Sequence, residues 1–190
     1  LVAAHGTELL EIAREKNINF LFEASVGGGI PLIRPLTQSL AGEQIQEISG
    51  ILNGTTNYIL SKMAKEGQNF ETALRKAQEL GYAERNPEAD VEGFDTCRKI
   101  TILTALATGR EVNYEEVSTE GITRITDTDF KYASVLNTSI KLFGTSRMDG
   151  DDVSVYVCPM MIGPDHPLFG VNDVYNGVMV RGNTVGTVMF

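Results

Sequence analysis

The run Lys99-Ile100-Thr101-Ile102-Leu103-Thr104-Ala105-Leu106-Ala107 constrains the fold of this chain more than any other feature. It belongs to a helix expected over Phe94 to Thr108, stopped by Gly109, that is too apolar to stand in water. Such a helix is stable only when other elements enclose it. The material for those covering layers exists, since 42% of the 190 residues are hydrophobic. One lysine, Lys99, stands within the apolar run. A lysine drawn into such surroundings calls for a charged partner. Asp95, one helical turn earlier, is on the same face.

The covering elements follow from periodicity. Leu9, Leu10, Ile12 and Ala13 predict a helix over Glu8 to Lys16, followed by a short buried strand over Ile18 to Phe22. After a glycine-rich segment, Pro31 suits the first turn of a helix running through Leu40 and closed by Gly42. Alternation predicts a strand over Ile45 to Leu52; a turn at Asn53 to Asn57 leads into a helix over Tyr58 to Ala64. Ala73, Leu74, Ala77 and Leu80 mark a helix over Phe70 to Leu80 with Gly81 as C-cap. Beyond the central helix come short elements at Val112 to Val117 and Ile122 to Ile125, and a helix over Asp127 to Leu136. Strands are expected at Ser139–Ser146, Val153–Met161 and Val178–Phe190, the first two joined by a hairpin turn at Asp149-Gly150-Asp151. The sum is an α/β chain of one domain over residues 1–190, mixed early and antiparallel β late.

Several function classes fall away on composition. A formal net charge of −9 argues against nucleic acid and against an anionic membrane surface. No apolar run reaches the roughly 18–20 residues of a spanning helix. Cys97 and Cys158 are read as buried free thiols, because no CxxC motif accompanies them. A cytoplasmic location is expected. The chain opens without Met and closes on Val188-Met189-Phe190 with no polar tail, which reads as an excised segment.

Three segments carry potential chemistry. In Gly81-Tyr82-Ala83-Glu84-Arg85-Asn86-Pro87-Glu88-Ala89-Asp90-Val91-Glu92-Gly93-Phe94-Asp95, five carboxylates fall within twelve residues. A solvated acidic loop whose last members favour the positive helix start explains that pattern on composition alone. The buried setting of Lys99 favours a different reading. A partly desolvated Lys99–Asp95 pair suits proton transfer to or from an alcohol oxygen. Glu84 is a carboxylate available for a substrate ammonium group. The segment Glu23-Ala24-Ser25-Val26-Gly27-Gly28-Gly29-Ile30-Pro31 lacks both a GxGxxG fingerprint and a P-loop lysine. Its exposed carbonyls beside Glu23 suit a hard cation, and plain structural punctuation suits it equally. The third segment, Gly50-Ile51-Leu52-Asn53-Gly54-Thr55-Thr56-Asn57-Tyr58-Ile59-Leu60, reads as strand, turn and helix. Its helix-start amides suit a carboxylate, although capping alone also accounts for the threonines. His5 and His166 read as surface residues.

These three segments, in this order and at these separations, resemble homoserine dehydrogenases from end to end. The resemblance implies a mixed, largely antiparallel sheet covered by helices, which serves as the substrate-binding, catalytic and dimerisation domain. It implies interconversion of aspartate semialdehyde and homoserine with NADP or NAD, on the path to threonine and methionine. Lys99 matches the family's catalytic lysine and Asp95 its carboxylate partner. Glu84, Asp90, Tyr82, Gly54 and Thr55 match the substrate pocket. Glu23 with the backbones of Val26, Gly28 and Ile30 matches a monovalent-cation site for Na+ or K+. The family's nucleotide-binding domain, with its glycine fingerprint, has no counterpart in the sequence. The chain alone is therefore expected to catalyse little or nothing, to bind a small amino-acid substrate, and to form a homodimer. Two other readings stand beside it: an amino-acid-binding or dimerisation module without catalysis, for which a Lys/Asp pair would be superfluous, and a Mg2+-dependent carboxylate enzyme built on residues 84–95.

Overall fold

The computed structural model describes residues 1–190. Helix α1 spans Val2–Glu15, after which the chain runs through a 3-10 turn at Glu23–Ser25 and a π-helical turn at Pro35–Ser39 to strand β1, Ile45–Ile51. Helices α2 (Gly54–Glu66), α3 (Phe70–Glu79), α4 (Glu88–Val91) and α5 (Phe94–Thr108) follow without an intervening strand. The remainder comprises β2 (Ser118–Thr119), α6 (Asp127–Val135), β3 (Ser139–Asp149), β4 (Asp152–Ile162), β5 (Gly177–Gly182) and β6 (Gly186–Met189). All six strands join one sheet in the order β2-β4-β3-β1-β5-β6. Only β2 with β4 is parallel; every other pair is antiparallel. This is the mixed, largely antiparallel sheet expected.

Helix α5 is enclosed as its composition demands: Thr96, Ile100, Leu103 and Thr104 are fully buried. It lies against β1, β3 and β4, and Gly144 on β3 makes the close approach possible. A Cβ at residue 144 would stand 3.0 Å from side-chain carbons of both Thr96 and Ile100. Strand alternation then fixes the two sides of the sheet. Ile140, Leu142 and Gly144 face α5, paired with Met161, Pro159 and Val157 of β4. Phe143 faces away and joins Ile51, Ile162 and Leu168 in a second, smaller apolar cluster beneath residues 163–171. Helix ends follow local chemistry. Asn69 caps α3, a Thr126/Asp129 capping box opens α6, and Gly67 closes α2 in the left-handed conformation. No helix is long and apolar enough to cross a membrane.

Three expectations need correction. Residues Ile18 to Phe22 form no strand, with Ile18 61% and Leu21 80% exposed. The local β-propensity finds no sheet edge to pair with, and Phe20 stacks on Phe22 at 5.2 Å instead. The helix expected from Pro31 through Leu40 is present but shorter and widened, running from Ile33 to Ser39 and π-helical from Pro35, with the Leu40 amide donating back to the Pro35 carbonyl. The run Val178–Phe190 is a hairpin rather than one strand: Asn183 to Val185 turn the chain, with Gly186 at φ 75°. Both cysteines are free, Cys97 buried as expected and Cys158 only half-buried.

Candidate active site

Strand β1 delivers the site. Its last residue, Ile51, and Leu52 after it are buried, and Asn53 follows at 5% exposure in extended conformation. The Asn53 side chain accepts from the Thr56 amide at 2.9 Å, capping α2. That cap leaves the Gly54 and Thr55 amides at the helix start without an intrahelical acceptor. Position 54 tolerates no side chain, because a Cβ there would come within 2.8 Å of the Val174 carbonyl oxygen.

The second wall comes from the acidic segment. Gly81, at φ 76°, ends the turn after α3, and Tyr82 packs on Tyr58 with ring centroids 5.1 Å apart. The Thr55 hydroxyl donates to the Tyr82 carbonyl, which ties the two walls together. Gly93, at φ 83°, turns the chain from α4 into α5. Asp95 is then in the first turn of α5 and Lys99 in the second. Lys99 Nζ donates to Asp95 Oδ2 at 2.6 Å and to the Leu52 carbonyl at 2.9 Å. An ammonium group has three N–H donors, so one is left for the cleft.

Asn53 is the functional residue that sequence reasoning missed. Its Nδ2 donates to Asp90 Oδ1 at 2.7 Å and to Asp95 Oδ2 at 2.9 Å, bridging two carboxylates. Burial raises the Asp90 carboxyl above its ordinary range; the Asn53 hydrogen bond opposes this, and Asp95 adds to the rise. No pattern in the sequence marks Asn53 for this task, since its partners lie 37 and 42 residues away.

Together these groups line a cleft of about 540 Å³ that brings Gly54, Thr55, Tyr82, Glu84, Asp90, Asp95 and Lys99 into one place. Glu84 reaches it from an exposed turn, its carbonyl held by Gln78 Nε2 at 3.0 Å. A larger cleft, about 790 Å³, runs between α1 and α5. Its one ion pair, His5 with Glu8 at 3.8 Å, is solvent-exposed, so the smaller, polar cleft is the candidate site.

The glycine-rich segment lies elsewhere and lines neither cleft. Glu23 turns its carboxylate onto the helical turn beyond Pro31. Oε1 accepts from the Leu32 and Ile33 amides at 2.7 Å each, and Oε2 from the Arg34 amide at 2.9 Å. Gly27 and Gly28, at φ 76° and 58°, fold the loop back over buried Val26. No backbone amide outside the regular elements donates to the carbonyls of Val26, Gly28 or Ile30.

Residues 31–190 match the homoserine dehydrogenase family. The chain is 49% identical over its whole length to a homoserine dehydrogenase of Synechocystis, and 44% identical to that of Bacillus subtilis. It covers 45% of the first and 44% of the second, so it spans rather less than half the length of these curated relatives. Among solved structures, a homoserine dehydrogenase from Thiobacillus denitrificans superposes with a TM-score of 0.95 at 40% identity, again over 44% of that chain. A hyperthermophilic archaeal homoserine dehydrogenase in complex with NADPH superposes at 0.84, with 31% identity, this chain covering 54% of it. At this identity, over the whole of its length, the chain belongs to the homoserine dehydrogenase family.

Proposed function

We propose that this chain forms the amino-acid-binding and proton-transferring part of an NAD(P)-dependent oxidoreductase that interconverts L-aspartate 4-semialdehyde and L-homoserine, serving threonine and methionine synthesis. The observation that carries the reading is the Lys99 ammonium, held at the cleft by Asp95 and the Leu52 carbonyl, which leave one of its three N–H groups uncommitted. The substrate carries an ammonium, a carboxylate and a carbonyl. Glu84 and Asp90 are placed for the first, and the Gly54 and Thr55 amides at the start of α2 for the second. Lys99 is placed for the third. As the aldehyde carbon is reduced, its oxygen gains negative charge and takes the proton from Nζ. Asp95 keeps Nζ on the cleft side, and Asn53 keeps Asp95 and Asp90 from swinging apart.

The hydride is supplied by NADPH or NADH when bound. The residues present offer no phosphate cradle for it, so binding falls to the part of the relatives outside the matched stretch, and the chain alone is expected to be inactive. A monovalent cation, Na+ or K+, fits the Glu23–Ile30 loop through its free carbonyls, in particular those of Val26, Gly28 and Ile30. With its carboxylate engaged by three amides, Glu23 shapes this site more than it charges it. The sheet face turned away from α5 supports a homodimer. It carries half-buried Tyr156, Cys158, Met160 and Met179 beside exposed Met189.

The test is to place this chain in the Synechocystis relative in exchange for the matched 45% and to compare it with the same protein carrying Lys99→Met. Turnover of homoserine with NADP is expected to fall by about 100-fold or more, with a much smaller rise in KM. Turnover within a few-fold of the parent would remove Lys99 from the chemistry.

A further inference from the structure

One of the bulkiest fully buried side chains is a lysine. Lys141, on β3, is 1% exposed and lies between Ile140 and Leu142, on the side of the sheet that faces away from α5. Its Nζ donates to the Val171 carbonyl at 2.6 Å, Asn172 Oδ1 at 2.9 Å and Asn57 Oδ1 at 3.2 Å. All three N–H donors are thus in use, and no acceptor is a carboxylate. Burying an ammonium against neutral oxygens alone is unfavourable, so what it holds in place matters.

It holds the segment from Val171 to Tyr175. Asn57, itself 1% exposed, reinforces the grip by donating to the Val171 and Tyr175 carbonyls at 3.3 and 2.9 Å. Ser61 Oγ, one turn further along α2, accepts from the Asp173 amide at 2.9 Å. Within this segment stands Val174, which walls the cleft and whose carbonyl oxygen would lie 2.8 Å from a Cβ on residue 54.

We infer that Lys141 is a positioning residue for the amino-acid pocket, fastening the 171–175 wall to the first turns of α2 so that the Gly54 and Thr55 amides are presented in one geometry. This rests on the pocket reading given above. Lys141 touches no cleft residue itself and acts through Val171, Asn172 and Asn57. Burial first, and Lys65 on α2 after it, bring its amine down to about 8 against the opposing charge of Asp173 in the wall. Above that value the neutral amine has two N–H groups for three acceptors, and one hold on the wall is released.

The sign of the stability effect separates positioning from mere support. Between about 8 and the ordinary value of 10.5, the unfolded chain keeps a proton that the folded chain has lost. The Lys141 contribution to stability therefore rises with pH through that window, while the hold on the wall weakens. Amide shifts of Gly54, Thr55 and Val174 recorded across the same window read the wall directly. L-homoserine titrations at either end read the pocket.

In the parent chain, the three amides are expected to titrate together with a midpoint near 8, and homoserine affinity is expected to fall about three- to tenfold across it. Lys141→Met abolishes the common titration and lowers affinity about tenfold already at neutral pH. Asn172→Ala, which spares the buried lysine, does the same more weakly and covers the case in which Lys141→Met fails to fold. Glu84→Gln weakens homoserine while leaving the titration intact. If Lys141→Met and Asn172→Ala shift only the melting temperature, leaving these amides and the affinity unchanged, the inference is overturned. Should the parent chain bind no homoserine, the pocket reading fails on its own. The amides still decide for Lys141: displaced Gly54, Thr55 and Val174 shifts in Lys141→Met relative to the parent chain uphold its hold on the wall, and unchanged shifts refute it.

Discussion

Asp90 shows how this site balances stability against binding. Its carboxyl is half-buried beside Asp95, and burial raises it above its ordinary range. The fold therefore favours the protonated acid, and the charged form is a stability deficit. The deficit is absent below the unfolded value and develops as pH rises through the raised one. Asp90→Asn is expected to raise the melting temperature at neutral pH and to flatten its pH dependence through the weakly acidic range. The same change removes a negative charge from the ammonium side of the cleft, so homoserine binding weakens. A lower melting temperature at neutral pH would show that Asp90 is charged at no cost to the fold. Residues of this kind were half legible in the sequence. Asp95 and Lys99 are one turn apart on a helix whose burial is written in its composition, so their pairing follows from local geometry. Asn53 and Lys141 act across 37 to 84 residues of chain, and nothing local announces either.

Among the elements, the short turn after Pro31 depends most on one side chain. The Glu23 carboxylate answers three of the backbone amides that a helix start leaves unpaired. Glu23→Gln keeps the size but removes the charge and turns one acceptor into a donor facing an amide. A loss of about 1–3 kcal/mol in thermal or urea unfolding is expected; no measurable loss would mean that solvent replaces the carboxylate freely. The glycine-rich loop was read as a cation loop or as punctuation, and its carboxylate proves to be a helix cap. Elsewhere, α2, α3, α5 and α6 were legible because caps and 3.6-residue periodicity are local signals, whereas the single turn of α4, Glu88–Val91, lay hidden in a stretch read as an acidic loop. The 178–190 hairpin was missed because its turn, Asn183 to Val185, follows Gly182 within an apolar run and lacks an Asn-Gly pair. The strand expected at 18–22 failed for the opposite reason: its local pattern was correct, but a strand needs a neighbour.

At the scale of the molecule, one face of the sheet carries α5, and the other is covered over part of its width by residues 163–175 and the first turns of α2. In the homodimer proposed above, the remaining half-covered strip around Tyr156, Cys158, Met160 and Met179 is the surface that would meet the second copy. Sedimentation is expected to give a dimer, and Tyr156→Glu together with Met179→Glu a monomer that keeps its helix content. A parent chain that sediments as a monomer at micromolar concentration would contradict this.

A Lys99 that protonates the substrate oxygen requires the cleft beside it to hold an amino acid. Calorimetric titration of this chain with L-homoserine, repeated with Glu84→Gln and Lys99→Met, asks that directly. Saturable binding in the millimolar range, about −4 kcal/mol, weakened by both substitutions while the melting temperature holds, is the predicted result. Binding that both variants leave unchanged, or none at all in a chain whose melting curve shows it folded, would contradict the assignment.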